Sequence, residues 1–227
     1  MKTTTNKTQV FNLVILDKSG SMEDIRKEAI NGYNETLATI RVAQNKHIDT
    51  QEHFVSLAAF CGCGVQMILD KKPIAEAEKL TDKQYEPCCS TPLFDAIGST
   101  IKHLKADIKD IEDAAVLVTI ITDGYENVSK EWTAGAIKKL IDECKADGWM
   151  FAFIGAGEDI TRVASTISIT NTVVWEKTGQ GTKKMFAECE DASSRFFDKM
   201  AAPCCVGASV AERKKMRAQF SKEYFDK

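Results

Sequence analysis

The chain has 227 residues, of which 44% are hydrophobic and 28% are charged, and its formal net charge at pH 7 is −3. A domain of this length buries about 70% of its unfolded surface, and the composition excludes a disordered, collagen-like or coiled-coil chain. The weak negative charge provides no basic field for nucleic acid or an anionic membrane, so we expect neither as a partner.

The hydrophobic pattern alternates between strands and helices along the chain. Near-continuous apolar runs predict buried strands at 10–16, 54–60, 65–69, 115–121, 149–154 and 172–175. Helical spacing predicts amphipathic helices with apolar positions from Ile25 to Ile40, Leu93 to Leu104, Trp132 to Cys144 and Met185 to Met200. The glycine-rich link at 61–64 favours an antiparallel hairpin. We therefore predict an α/β fold with a doubly wound, mostly parallel central sheet, one antiparallel edge strand and helices on both faces.

The ends of the chain differ from its middle. Residues 1–9 are polar, and no apolar segment precedes a small-residue cleavage site, so the pattern of a signal peptide is missing. The longest apolar runs, such as 114–121, are much shorter than a membrane span. We predict a cytoplasmic protein with a flexible N-terminus at 1–9, a main domain at 10–202, and a tail at 203–227 that is helical or partly disordered.

None of the eight cysteines forms a C-x-x-C pair. They are Cys61, Cys63, Cys88, Cys89, Cys144, Cys189, Cys204 and Cys205. The adjacent pairs lack the spacing of a zinc knuckle. We expect reduced thiols packed as small apolar groups, and a structural zinc site or disulfide framework is the less favoured alternative.

Three polar loops lie at the ends of predicted strands or helices. They are 17–22 after the first strand, 88–93 before the second helix, and 122–127 after the central strand. Each alone has a structural explanation, namely helix caps at Ser21 and Thr91 and a turn at Asp123. In an open α/β sheet, however, loops at the carboxyl ends of neighbouring strands meet in one crevice. If the first and central strands are neighbours, Asp17 and Asp123 therefore reach the same place.

The three loops together offer a set of oxygen ligands. The set has two carboxylates and three hydroxyls, from Asp17, Ser19, Ser21, Thr91 and Asp123. Hard oxygen ligands select Mg²⁺, with Mn²⁺ or Ca²⁺ as alternatives, whereas zinc prefers nitrogen or sulfur. We expect neither Cys88 nor Cys89 to bind this ion.

The sequence D-x-S-x-S at 17–21, Thr-Pro-Leu at 91–93 and T-D-G-x-x-N at 122–127 together resemble the von Willebrand factor A family over roughly residues 10–200. In that family these loops form the metal-ion-dependent adhesion site, and all five candidate ligands match its pattern. The resemblance implies that Ser19, Ser21 and often Thr91 bind the metal directly, while Asp17 and Asp123 frequently act through water. Cys89-Ser90 departs from the family, since many members carry glycine before the threonine.

The resemblance also implies a function. An ion held in this way keeps an open coordination position, which an Asp or Glu of a partner protein fills. We therefore predict a metal-dependent protein-binding module and not an enzyme. In style the chain is similar to bacterial intracellular members of the family, including the tellurium-resistance-associated type, which suggests an intracellular complex or a stress response. The predicted partner-binding rim of the site is Lys18, Glu23, Tyr125, Glu126 and Glu158.

Two other functions are considered. A Mg²⁺-dependent phosphoryl-transfer or hydrolytic enzyme would use the same ion, but the sequence has neither a P-loop nor a G-x-S-x-G nucleophile elbow. Its histidines, His47, His53 and His103, all lie outside the three loops, and the G-x-G at 155–157 alone is a weak nucleotide signature. The other alternative is a scaffold whose site holds no ion.

Overall fold

A six-stranded sheet forms the centre of the fold in a computed structural model that describes residues 7–123, 126, 128–157 and 160–225. The strands are β1 (Thr8–Asp17), β2 (Gln51–Cys61), β3 (Gly64–Pro73), β4 (Ala114–Thr122), β5 (Met150–Ala156) and β6 (Thr172–Trp175). Their order is β3-β2-β1-β4-β5-β6, and every neighbouring pair is parallel except β2 and β3. The predicted mostly parallel sheet with one antiparallel edge strand is confirmed.

Helices cover both faces of this sheet. They are α1 (Arg26–Lys46), α2 (Leu93–Asp107), α3 (Ala134–Ala146), α4 (Ile160–Thr166), α5 (Gly179–Ala201), α6 (Pro203–Val206) and α7 (Val210–Phe220), with short 3₁₀ turns at Gly20–Ile25 and Ser221–Glu223. One apolar core lies under α1 and α5, and a second lies under α2, α3 and α4. Because strand side chains alternate, Leu16 of β1 belongs to the first core and Ile15 to the second.

The two helices over the first core approach each other closely at a glycine. A Cβ atom added at Gly32 of α1 would lie 2.0 Å from Cδ2 of Phe186 on α5. That distance is far inside van der Waals contact, so the Phe186 ring fills the space that a larger residue at position 32 would need. The small residue thus sets how closely α5 packs on α1.

The strand order creates a crevice at one edge of the sheet. From β1 the chain crosses to β2 on one side, and from β4 it crosses to β5 on the other. The loops after β1 and β4 therefore diverge, which is the topological switch point where open α/β sheets bind ligands. Leu16 pairs with Ile121 in the ladder, so Asp17 and Thr122 end their strands at the same level. The first and central strands are neighbours, as the site prediction required.

Some element boundaries differ from the prediction. Strand β1 begins at Thr8, two residues before the predicted start, where the Thr8 hydroxyl donates to Asp113 Oδ2 over 2.6 Å. Trp132 was predicted to lie in the third helix but precedes it, because Thr133 is the N-cap of α3 and its side chain accepts from the N–H of Ala136. The Trp132 ring packs on Gly98, where an added Cβ would lie 2.1 Å from Trp132 Cδ2. Helix α4 is a single short segment that the sequence did not predict.

The segment after α5 is helical. It packs at the amino ends of the central strands, whereas the crevice lies at their carboxyl ends. Arg217 of α7 is 2% exposed, and its Nη1 donates to Asp113 Oδ1 over 3.1 Å. Arg213 Nε lies 3.1 Å from the other oxygen of the same carboxylate. Asp113 directly precedes β4, so the tail is attached at the amino ends of the central strands.

Within the described ranges, no helix has both the length and the apolar character needed to cross a membrane.

Candidate metal centre

Asp17 ends β1 and is fixed by hydrogen bonds from both sides. Its Oδ1 accepts from the backbone N–H of Ser19 over 2.7 Å, and its Oδ2 accepts from the Thr122 hydroxyl over 2.5 Å. The Tyr85 hydroxyl donates to the Asp17 backbone oxygen over 2.6 Å. Since both carboxylate oxygens already have donors, this geometry suits a residue that positions the loop and reaches an ion through water.

The two serines of the first loop have the spacing of neighbouring ligands. Ser19 Oγ and Ser21 Oγ lie 3.1 Å apart, and Ser21 Oγ donates to Asp123 Oδ1 over 2.7 Å. Adjacent oxygens around an octahedral Mg²⁺, each about 2.1 Å from the ion, are about 3.0 Å apart. The all-oxygen set at the crevice therefore fits a small, hard divalent cation.

The alternative explanation of these hydroxyls as helix caps is not observed. Ser19, and not Ser21, is the N-cap of the 3₁₀ turn, and its side chain makes no capping bond. Pro92, and not Thr91, is the N-cap of α2. Thr91 is 4% exposed and lies on the loop immediately before this helix. The Ser19 side chain thus makes no capping bond, and Thr91 is not the N-cap residue of α2.

Two backbone hydrogen bonds join the loop that carries Thr91 to the first loop. The N–H of Gly20 donates to the oxygen of Cys89 over 3.1 Å, and the N–H of Cys88 donates to the oxygen of Lys18 over 2.9 Å. The structure therefore links Asp17, Ser19, Ser21 and Asp123 through side-chain bonds. It places Thr91 on a segment attached to the same loop.

Two buried carboxyl groups, those of Asp17 and Asp123, lie close together in the site. The pKa of Asp17 is raised from 3.8 to about 6, chiefly by burial and to a smaller extent by nearby Asp123, and this net value already includes the opposing effect of the hydrogen bonds from Thr122 and Ser19. The side chain of Asp123 is fully buried. A cation between the two carboxylates would offset the cost of burying their charge.

Lys177 supplies a positive charge that the sequence analysis missed. Its Nζ lies 2.7 Å from Asp123 Oδ2 and 3.8 Å from Asp24 Oδ2, and it donates to the backbone oxygen of Ser21. Lys177 lies between β6 and α5, 54 positions from Asp123 in the sequence, and no motif marks it. Only the placement of β6 beside β5 brings this lysine to the crevice.

Of the five predicted rim residues, the structure describes Lys18, Glu23 and Glu126. Lys18 Nζ donates to Gln66 Oε1 over 3.2 Å, and Glu23 Oε1 lies 3.7 Å from Arg26 Nη1 at the surface. Tyr125 and Glu158, with Gly124 and Asn127 of the third motif, lie outside the described residues.

Glu126, predicted as a rim residue, supports the loop after β4. Its carboxylate accepts from the N–H groups of Phe94, Val128 and Ser129 over 2.8, 3.0 and 2.7 Å, and from the Ser129 hydroxyl over 2.6 Å. With four donors in place, the carboxylate holds the segment after β4 against α2.

Asp95 is a second support of this kind, and the sequence analysis missed it. Its carboxylate accepts from the N–H groups of Lys130, Glu131 and Trp132 over 2.8, 2.9 and 2.8 Å. An acidic residue in the first turn of a helix is common without any such role, so only the fold distinguishes it.

The expectation that the cysteines pack as small apolar groups holds only in part. Cys144 and Cys189 are buried in the two cores. Cys63 and Cys89 are exposed, however, and they lie beside Cys61 and Cys88 in one group. The spacing of 25 to 28 residues between the two pairs carries no zinc-site signature, so the sequence did not indicate this group.

Solved structures with the same architecture are found at low sequence identity. A von Willebrand factor type A protein from Catenulispora acidiphila has a TM-score of 0.52 at 15% identity, over 83% of this chain and 43% of its own. Proximal thread matrix protein 1 from the mussel byssus, with a zinc occupied MIDAS motif, has a TM-score of 0.57 at 14% identity, over 83% and 48%. Manganese-loaded TRAP protein from Plasmodium vivax has a TM-score of 0.51 at 17% identity, over 79% and 71%.

No protein-family model matches the chain, and no curated protein sequence matches it. The chain spans less than half the length of the first two of these structures. Structural similarity at such low sequence identity shows the fold alone. Taken with the strand order and the helices on both faces, it shows that the chain has the von Willebrand factor A fold.

Proposed function

We propose that the chain is a metal-dependent protein-binding module whose oxygen site holds Mg²⁺, with Mn²⁺ or Ca²⁺ as alternative ions. The observation that carries the proposal is the linked set of Asp17, Ser19, Ser21 and Asp123 at the switch point. The mussel protein with a zinc occupied MIDAS motif and the manganese-loaded TRAP protein support a divalent ion on this fold.

Each residue has a distinct part in this proposal. Ser19, Ser21 and Thr91 would hold the ion directly, and Asp17 and Asp123 would act through water, as the family resemblance implies. When bound, the ion supplies a Lewis-acidic position that accepts a carboxylate oxygen from an Asp or Glu of the partner protein. Two carboxylates balance a divalent charge and the hydroxyls add none, so the ion keeps its attraction for a further acid.

Ion binding is tested by calorimetric titration of the chain with Mg²⁺ and Mn²⁺. We expect one ion per chain, and we expect Ser21→Ala to weaken binding at least tenfold because one ligand is lost. Ser165→Ala is the matched control, since Ser165 is an exposed helical serine on α4 whose hydroxyl donates to Thr161 O over 2.8 Å. If Mn²⁺ does not bind the unaltered chain, the metal-site proposal is rejected.

Partner binding requires a separate experiment. We expect a partner protein to be retained with Mg²⁺ and released by a chelator, and to lose binding when one of its own Asp or Glu residues is replaced by Ala. The pilus adhesin SpaC of Lactobacillus rhamnosus GG, which has a TM-score of 0.62 at 13% identity, supports a binding role on this fold. A partner that is retained equally well with chelator would contradict the docking mechanism.

We also propose that the module is not an enzyme. In the part of the chain that the structure describes, each histidine is paired elsewhere: His47 with Asp198 at 2.7 Å, His103 with Asp70 at 3.0 Å, and His53 with Gln51 at 2.9 Å. No general base of this type therefore faces the crevice. Turnover of a phosphoester that Ser21→Ala abolishes would reverse this proposal in favour of a metal-dependent hydrolase.

We propose a cytoplasmic location within a bacterial intracellular complex, in keeping with the resemblance to the tellurium-resistance-associated type. The free thiols at the surface, Cys63, Cys89 and Cys204, support a reducing compartment. Cell fractionation would test this, and recovery of the chain outside the cytoplasm would contradict it.

A further inference from the structure

The tip of the β2–β3 hairpin lies directly against the loop that precedes α2. A Cβ atom added at Gly62 would lie 2.4 Å from Ser90 Oγ and 3.1 Å from Cys89 Cβ. The two segments therefore meet as closely as a residue without a side chain allows. Cys61 and Cys63 flank this glycine, and Cys88 and Cys89 lie on the facing loop, so the contact brings four thiols together.

The distances between these sulfurs are those of ligands around one ion. Cys61 Sγ lies 3.5 Å from Cys88 Sγ, and Cys63 Sγ lies 4.0 Å from Cys88 Sγ and 3.3 Å from Cys89 Sγ. A disulfide has a sulfur–sulfur distance of about 2.05 Å, so these are separate thiols. Four sulfurs at about 2.3 Å from a tetrahedral Zn²⁺ are about 3.8 Å apart, close to the observed spacing.

We propose that Cys61, Cys63, Cys88 and Cys89 form a binding site for a thiophilic metal ion, with Zn²⁺ as the ion that fits best. The Sγ atoms of Cys61, Cys63 and Cys88 all lie within 4.8 Å of one another and form the core of the site. Cys89 contacts Cys63 and is exposed, so its side chain is free to turn toward the ion as the fourth ligand.

The burial of the four thiols suits an ion that enters from solvent. Cys61 is 1% exposed at the end of β2 and fixes the inner side of the site, while Cys63 and Cys89 lie at the surface. Thiolates are soft ligands that select Zn²⁺ over Mg²⁺, whereas the neighbouring oxygen site has the opposite preference. The two sites are therefore chemically distinct although their loops are hydrogen-bonded to each other.

The backbone of Cys89 gives a second reason to assign a role to its thiol. Its φ angle is +63°, in the left-handed region that favours glycine. A side chain at such a position adds backbone strain, and packing does not compensate for it because the residue is exposed. Binding an ion would give this cysteine a stabilising contact that its conformation alone lacks.

The proposal is tested on the reduced full chain with Co²⁺ and Zn²⁺. We expect one equivalent of Co²⁺ to give intense thiolate-to-cobalt charge-transfer absorption, which an oxygen site does not produce, and one equivalent of Zn²⁺ to displace it. Cys63→Ser and Cys89→Ser alter exposed residues, so both variants should fold. Each should weaken Zn²⁺ binding at least tenfold against a chromophoric chelator.

Two matched controls separate this site from the others. Cys204→Ser removes an exposed thiol on α6, outside this group, and should leave Zn²⁺ affinity unchanged. Ser21→Ala removes an oxygen ligand of the crevice and should also leave the cobalt absorption unchanged, so failure of the oxygen site does not imply failure of the thiol site. The proposal is overturned if no charge-transfer band appears, if Cys63→Ser binds Zn²⁺ normally, or if Cys63 and Cys89 form a disulfide that excludes zinc.

Discussion

The most informative single residue outside the predicted ligands is Lys177. Its ammonium group lies 2.7 Å from a carboxylate oxygen of the fully buried Asp123, and 27% of its own side chain is exposed. A divalent ion beside Asp123 would be repelled by this ammonium, so Lys177 and the ion compete for the same negative charge. We therefore infer that Lys177 lowers the affinity of the proposed site for metal.

Replacing Lys177 by Gln should therefore strengthen metal binding. We expect Mn²⁺ affinity to rise about five- to tenfold, because the competing charge is removed, a change of about 1 kcal/mol. In the presence of a chelator the same variant should be less stable to urea by about 1 kcal/mol, since Asp123 loses its partner. Lys184→Gln, an exposed lysine on α5, is the control, and equal or weaker Mn²⁺ binding by the Lys177 variant would contradict the competition.

Single residues also show what sequence reasoning can reach. Asp17 and Asp123 were predictable because each lies where a buried strand ends, whereas Ser21 lies in a 3₁₀ turn and not in the extended loop that alternation assumes, so the family resemblance and not the spacing indicated it. No sequence pattern indicates Lys177, since its contact with Asp123 depends on the positions of β5, β6 and α5. The thiol group depends in the same way on a contact between a hairpin tip and a distant loop.

At the scale of elements, β2 and α5 enclose a buried histidine. His53 of β2 is 1% exposed, its Nε2 lies 2.9 Å from Gln51 Oε1, and its ring packs edge-on against Phe197 of α5 with 4.7 Å between centroids. Burial, with a smaller contribution from the charge of His47, lowers the pKa of His53 from 6.5 to about 4. Protonation of this residue is thus favoured in the unfolded chain.

The contribution of His53 to stability should fall as the pH is lowered from about 6.5 toward 4, whereas Asp17, whose pKa is raised in the fold, acts in the opposite direction. In that range the unfolded chain binds a proton at His53 that the folded chain does not, so the stability present above pH 6.5 is progressively lost, by about 3 kcal/mol in total. Urea unfolding of the protein and of His53→Gln at several pH values measures this. The unaltered protein should lose more stability than the variant over this range, so the difference between the two curves should change toward pH 4. The exposed His103→Gln is the control, and parallel curves for His53→Gln and the unaltered protein would refute the assignment.

Element order was read from the sequence more reliably than element boundaries. Buried parallel strands require continuous apolar runs, and these runs marked every strand of the sheet. The short helix α4 has seven residues and only Ile160 and Ala164 are buried, so its periodicity was too brief to detect. Trp132 had the right spacing for α3, but its burial comes from contact with Gly98 of α2.

At the scale of the whole molecule, the tail is joined to the domain by a buried cluster of charges. The Asp113 carboxylate accepts a hydrogen bond from the Thr8 hydroxyl and lies 3.1 Å from both Arg213 and Arg217. These contacts connect β1, the start of β4 and α7. Tyr224 adds a bond of 2.7 Å between its hydroxyl and Ser193 Oγ of α5. The tail is thereby part of the folded unit.

Removing Arg217 should destabilise the entire domain. We expect Arg217→Ala to lower the free energy of unfolding by about 3 kcal/mol, because a buried carboxylate loses its most buried partner. Lys214→Ala, on the same helix, provides the comparison and should change stability by less than about 0.5 kcal/mol. Urea unfolding followed by circular dichroism measures both, and a loss confined to the tail helices would show that the tail is not coupled to the domain.

The tail and the crevice lie at opposite ends of the central strands, since Asp113 directly precedes β4 and Asp123 directly follows it. A support or a fusion partner attached through the C-terminal end would consequently leave the ion-binding edge facing open solvent. The crevice and the tail are therefore separately accessible, so an attachment made at one need not block the other.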